Sequence, residues 1–117
     1  MLKIALATLI VTASAAFADA PVIRNVNITR SGDLWNFDVT VQHDDTGWDD
    51  YADAWRILDE QGNVLGQRNL AHPHVDEQPF TRSLSGIAVP SGVKEIEIQV
   101  HDTKGGWTKG GKRIRLR

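Results

Sequence analysis

The chain has 117 residues, no Cys, 13 Lys and Arg against 15 Asp and Glu, and a formal net charge of −2. One domain's worth of residues with a slight acidic excess argues against nucleic acid or an anionic membrane surface as the main partner. The lack of Cys rules out a disulfide framework and a thiolate metal site, so stability must come from packing.

The first stretch, MLKIALATLIVTASAAFADA, has Lys3 as a short basic region, a mostly apolar run and the small-residue triplet Ala16-Phe17-Ala18. That pattern predicts a secretory signal peptide over 1–18, with cleavage after Ala18 and Asp19 as the first mature residue. The run is shorter than the roughly 20 apolar residues that span a bilayer, and no Cys follows it to carry a lipid. The mature domain, 19–117, is therefore expected to be periplasmic or secreted, monomeric and not inserted in a membrane. Loss of Lys3 with the leader takes its formal charge from −2 to −3.

From there on, apolar residues recur with period two, the signature of half-buried strands. The first strand is expected over 22–29, carrying Val22, Val26 and Ile28 on one parity, and Ser31-Gly32-Asp33 turns it into a second over 34–43. In that second strand Trp35, Phe37, Val39 and Val41 alternate with Asn36, Asp38, Thr40 and Gln42. A third over 54–60 has Trp55 and Ile57 in phase, and Gln61-Gly62-Asn63 leads to a fourth over 64–71. A turn of helix within 48–58 is the one helical expectation. A short strand over 80–84 follows, then Pro90-Ser91-Gly92, then a strand over 93–101 with Ile96, Ile98 and Val100 inward. The last strand, 112–117, alternates Ile114 and Leu116 with Arg113, Arg115 and Arg117, its basic residues covering a solvent face or protecting an edge.

Seven short antiparallel strands in this order resemble a fibronectin type III or immunoglobulin-like β-sandwich, which implies a fold and no activity. The stretch AHPHVDEQPFTRSLSG and the strand ending in VHD also resemble small exported bacterial proteins of uncharacterised function that share an HPH…EQPFTRS motif. That likeness spans at most residues 43–102 and brings no activity with it.

In such a sandwich alternate connections emerge at one end. All four histidines fall there: His43 at the end of the second strand, His72 and His74 after the fourth, His101 at the end of the sixth. Asp44, Asp45, Asp49, Asp50, Asp53, Asp76, Glu77 and Asp102 belong to the same end, and His43-Asp44-Asp45-Thr46-Gly47-Trp48 echoes His101-Asp102-Thr103-Lys104-Gly105-Gly106-Trp107. Imidazole and carboxylate donors suit Zn²⁺ or Cu²⁺. Pro73 holds an extended backbone, on which residues two apart share a side, so His72 and His74 are candidate ligands of one ion. His43 or His101 would complete the site, or a carboxylate such as Asp44, Asp102 or Glu77. The competing expectation is a hydrogen-bonded structural network. Parity favours it, because His43 continues an inward set and His101 an outward one.

Arg82 falls on an inward parity and needs a partner, for which Glu77 or Asp76 is the nearest acid; Glu77 and Arg82 are expected to pin the loop. Trp48, Tyr51 and Trp107 lie in polar loops, where aromatic side chains beside acids would suit a protein or glycan partner bound without metal. The acidic run HDDTGWDDYAD lacks the D-x-D-x-D-G order of a calcium loop. No serine stands in a nucleophile elbow and no glycine pattern cradles a phosphate, so a binding role rather than an enzyme is expected.

Overall fold

The computed structural model describes residues 20–116; the expected leader, with its cleavage point and Asp19, lies outside them. Eight strands follow in order: β1 (Val22–Ser31), β2 (Leu34–Gln42), β3 (Ala52–Leu58), β4 (Val64–Asn69), β5 (Phe80–Ala88), β6 (Glu95–Asp102), β7 (Gly106–Trp107) and β8 (Lys112–Arg115). They form two antiparallel sheets. One has the order β1-β2-β5; in the other, β4-β3-β6, both β7 and β8 pair with the remaining edge of β6. Among the described residues there is no helix, and the segment where a helical turn was expected instead runs through an irregular loop into β3.

The alternation of side chains decides what each sheet buries. Phe37, Val39 and Val41 from β2 and Trp55, Ile57, Ile96, Ile98 and Val100 from β3 and β6 have at most 1% of their surface exposed and form one cluster across both sheets. At roughly 1.5–3 kcal/mol for each large apolar side chain removed from water, this cluster is the principal source of stability. The opposite parity carries polar pairs, such as Thr40 with Thr81 at 2.7 Å and Arg56 with Gln99 at 2.9 Å. Of the apolar residues expected to face inward, Val26, Ile28, Trp35, Ile114 and Leu116 are only partly buried, and Val22 is exposed. Trp35 lies near the far end of β2, with the Arg30 guanidinium 5.1 Å from its ring centre.

Two elements differ from the sequence expectation for identifiable reasons. The expected single last strand is preceded by a short one, β7, that pairs His101 with Trp107 and Asp102 with Gly106. Between the two, Thr108 exchanges hydrogen bonds with Val100, and Gly111 passes so close to the Ile98 carbonyl that a Cβ would collide with it. The chain leaves the ladder there and rejoins it at Lys112. Strand β5 runs on to Ala88, beyond the Ser85-Gly86 pair that reads as a stop. Gly86 takes a positive φ of 71° opposite a register shift at Trp35/Phe37, and its N–H donates to Asn36 Oδ1. This is a bulge within a continuing strand.

Truncation of the fully buried Trp55 to Ala should cost about 3–5 kcal/mol, whereas Trp35→Ala should cost distinctly less because its side chain is only partly buried. Urea unfolding of both variants, followed by far-ultraviolet circular dichroism, measures the difference.

Candidate functional site

Three connections meet at one end of the two sheets: residues 43–51 between β2 and β3, 70–79 between β4 and β5, and 103–105 between β6 and β7. The first two are held by one buried carboxylate. Asp45 Oδ1 accepts from His43 Nδ1 at 2.6 Å and from the Ala52 N–H at 3.0 Å, and Oδ2 accepts from the His74 N–H at 2.8 Å. His43, Asp45 and His74 are all at least 95% buried. Gln78 adds a second clamp, its Oε1 accepting from the His43 N–H and its Nε2 donating to the His74 carbonyl.

His74 stacks on Phe80 with ring centres 3.9 Å apart, and its Nε2 lies 2.9 Å from Arg82 Nη2. A guanidinium can only donate, so Nε2 accepts and the neutral ring carries its proton on Nδ1. That buried Nδ1 has no hydrogen-bond partner and sits 4.0 Å from Asp45 Oδ2. Burial, followed by the charge of Arg82 and the neighbouring His72, lowers the His74 pKa below its ordinary value of 6.5, against the opposing pull of Asp45 and Glu77.

These contacts revise two expectations from sequence. His72 is exposed, donates from Nδ1 to the Pro73 carbonyl at 2.9 Å, and has its ring centre 4.5 Å from that of His74. Because Arg82 occupies the acceptor nitrogen of His74, the two rings do not offer two free lone pairs to a single ion. Nor does Glu77 pin Arg82: Glu77 is exposed, and among the described residues no ion pair joins it or Asp76 to Arg82. Arg82 is partly buried on the inward parity, as anticipated, but its partners are His74 and the Thr81 carbonyl. The residue that ties the loop down is Gln78, one position beyond Glu77.

A different set of ligand-type atoms converges on the other side of His43. One atom each from His43, Asp50 and Asp102 lies within 4.8 Å of the others, the only such group of three among the described residues. His43 Nδ1 is engaged with Asp45, which leaves Nε2 as the nitrogen facing Asp50 Oδ1 at 3.8 Å. Asp50 Oδ1 is itself buried and without a hydrogen-bond partner. Asp102 is fixed by the N–H groups of Lys104 and Gly105, and its carboxylate fills the space where a Cβ on Gly105 would stand. Two carboxylates and an imidazole nitrogen within 4.8 Å of one another concentrate negative potential there, which a divalent cation would neutralise.

Parity was the signal that could have identified this group. His43 continues the inward set Phe37, Val39, Val41, and Asp102 continues the inward set Ile96, Ile98, Val100. The residue that meets His43 across the core end is therefore Asp102 and not His101.

His101 points to the outer face of the β6 sheet. Its Nδ1 is 2.5 Å from Asp53 Oδ1 and its ring meets Trp107 edge-on, with centres 5.0 Å apart. The three aromatic residues expected to act together divide into two sets. Trp48, 67% exposed, packs edge-on against Tyr51 at 5.6 Å, while Trp107 lies under the Arg56 guanidinium at 3.9 Å. Tyr51 and Trp107 border one depression of about 320 Å³ on that outer face.

No family model matches the chain. A protein of Halomicrobium mukohataei described as "Putative lipoprotein" is 40% identical over 79 residues, which is 68% of this chain and 38% of the relative. The chain thus spans well under half the length of that relative. Among solved structures, a hypothetical protein of Pyrococcus horikoshii OT3 superposes with a TM-score of 0.55 at 15% identity, over 85% of this chain and 88% of the other. At that identity the likeness is one of fold.

Two outcomes follow from the buried network. A His whose pKa is lowered by folding takes up its proton more readily when unfolded, so its stabilising contribution is complete above about pH 6.5 and declines as pH falls from there through the folded-state value. The melting temperature should fall on acidification from pH 7 to 5, less steeply in His74→Gln; equal slopes would remove His74 from the cause. Asp45→Ala strands the His43 ring, the Ala52 N–H and the His74 N–H, and should cost on the order of 3 kcal/mol or more in urea unfolding.

Proposed function

We propose that this chain is an exported binding domain of the fibronectin type III-like sandwich type that holds one divalent cation, Zn²⁺ or Cu²⁺, through His43, Asp50 and Asp102. The observation that carries the reading is the unpartnered, buried Asp50 Oδ1 facing the free nitrogen of a nearly fully buried His43. A buried carboxylate oxygen with no donor costs several kcal/mol unless a cation supplies the missing charge. The Asp45 hydrogen bond to the distal ring nitrogen is the arrangement that fixes the tautomer and raises the basicity of a metal-bound imidazole. One nitrogen and two carboxylate oxygens suit borderline ions and leave a coordination position for water or a partner's side chain. We read the role as binding.

The order β1-β2-β5 against β4-β3-β6, with the chain crossing repeatedly between sheets, supports the fibronectin type III-like assignment. Export is supported by the expected leader over 1–18 and by the description of the Halomicrobium relative. We place it in the periplasm or the medium.

Calorimetric titration of metal-free, untagged domain with Zn²⁺ and with Cu²⁺ should give one site with Kd below about 10 μM, near −7 kcal/mol. A saturating ion should raise the melting temperature, because it binds the folded state only. Asp50→Asn, whose side chain is partly exposed and whose loss leaves the network of Asp45 intact, should abolish both effects. His72→Ala should leave both unchanged. Equal binding by wild type and Asp50→Asn, or loss of binding in His72→Ala, would overturn the assignment.

A further inference from the structure

The outer face of the five-stranded sheet carries a depression lined by none of the three cation ligands. Register places Asn69, Ala54, His101 and Trp107 side by side on β4, β3, β6 and β7, one row across the whole sheet. Ala54 is the smallest member of that row and forms its floor. Asn69 rises on one side and His101 with Trp107 on the other, while Tyr51 and Asp53 close one end of the depression. Its volume of about 320 Å³ is at the lower end of the roughly 300–1,000 Å³ of small-molecule sites.

The polar atoms around it are already oriented. Asp53 Oδ1 holds His101 Nδ1, so Asp53 Oδ2 and His101 Nε2 remain as acceptors on two residues that line the depression. Asn69 Oδ1 accepts from Gln67 Nε2 at 3.0 Å, which fixes the amide and leaves its Nδ2 as a donor. Acceptors on one side and donors on the other match groups that both give and receive hydrogen bonds, which are hydroxyls. Trp107 is held in place by Arg56 over one face and His101 at its edge. A ligand with an apolar side as well as hydroxyls can use the rings of Trp107 and Tyr51. An anion would meet Asp53, and a cation would meet Arg56 beside Trp107.

We propose that this depression binds one neutral hexose unit of a saccharide, with Asp53, His101 and Asn69 reading its hydroxyls and Trp107 and Tyr51 packing on its C–H face. The site lies on the sheet rather than at the exposed tip bearing Trp48. It needs no metal.

The test is a titration of ¹⁵N-labelled domain, in the presence of a chelator, with tetrasaccharides of β-1,4-linked glucose, N-acetylglucosamine and mannose, each to about 10 mM, and separately with choline. A Kd near 1 mM corresponds to about −4 kcal/mol, a reasonable magnitude for one shallow subsite. At least one saccharide should produce saturable shifts at the Trp107 indole N–H and the His101 amide. Asn69→Ala, an exposed change on an edge strand, and Asp53→Asn should each weaken binding about tenfold while the remaining spectrum stays in place. Trp107→Ala should remove it and Trp107→Phe should restore part. The proposal is overturned if no saccharide gives saturable shifts, if the shifts lie away from this face, if the variants bind like wild type, or if choline alone binds.

Discussion

The β2–β3 and β4–β5 connections at the histidine-bearing end of the molecule depend on the Asp45 carboxylate. By accepting from the Ala52 N–H it sets where β3 begins and hence where Asp50 falls in the preceding loop. By accepting from the His74 N–H it draws in the β4–β5 connection, and by accepting from His43 Nδ1 it turns the other nitrogen of that ring toward Asp50. A buried carboxylate is tolerable only when its lone pairs are used, and here three N–H donors use them. The loops are ordered by a polar centre, whereas the strands are ordered by an apolar one.

The same network also solves a charge problem. Asp45 is fully enclosed and Arg82 is partly so, yet they do not touch. A neutral imidazole stands between them, linked to the carboxylate through the His74 backbone N–H and to the guanidinium through Nε2. Each ion is thus satisfied by a polar neutral group. Phe80 seals the arrangement by stacking on the imidazole. The stretch HPHVDEQPFTRS thus serves as a polar corner: His74, Gln78, Phe80 and Arg82 each make a defined contact in it, and His72 lies on its exposed rim.

Strand positions were legible in the sequence wherever one face was apolar and the other polar. Residues 34–42 and 95–102 are examples, because the alternation itself determines which side is buried. Strand β7 was not legible: Gly106 and Trp107 have no period, and their pairing comes from the partner strand. The gathering of histidines at one end followed from chain direction alone. What could not be read was which nitrogen each ring uses, because that depends on contacts between residues far apart, such as His74 with Arg82 and His101 with Asp53. Glu77 seemed the natural partner of Arg82 by charge and proximity, but the backbone of the corner turns the amide of Gln78 inward instead.

Strand β6 ends with two neighbours of opposite orientation. Asp102 enters the space between the sheets beside His43, and His101 faces outward between Asp53 and Trp107. Adjacent residues on a strand are about 3.3 Å apart along its axis, so these two environments share a single peptide plane. The loop that leads into β3 repeats the relation, with Asp50 beside His43 and Tyr51 bordering the outer depression. An occupant of the inner group and an occupant of the outer face would therefore act on consecutive residues of one strand.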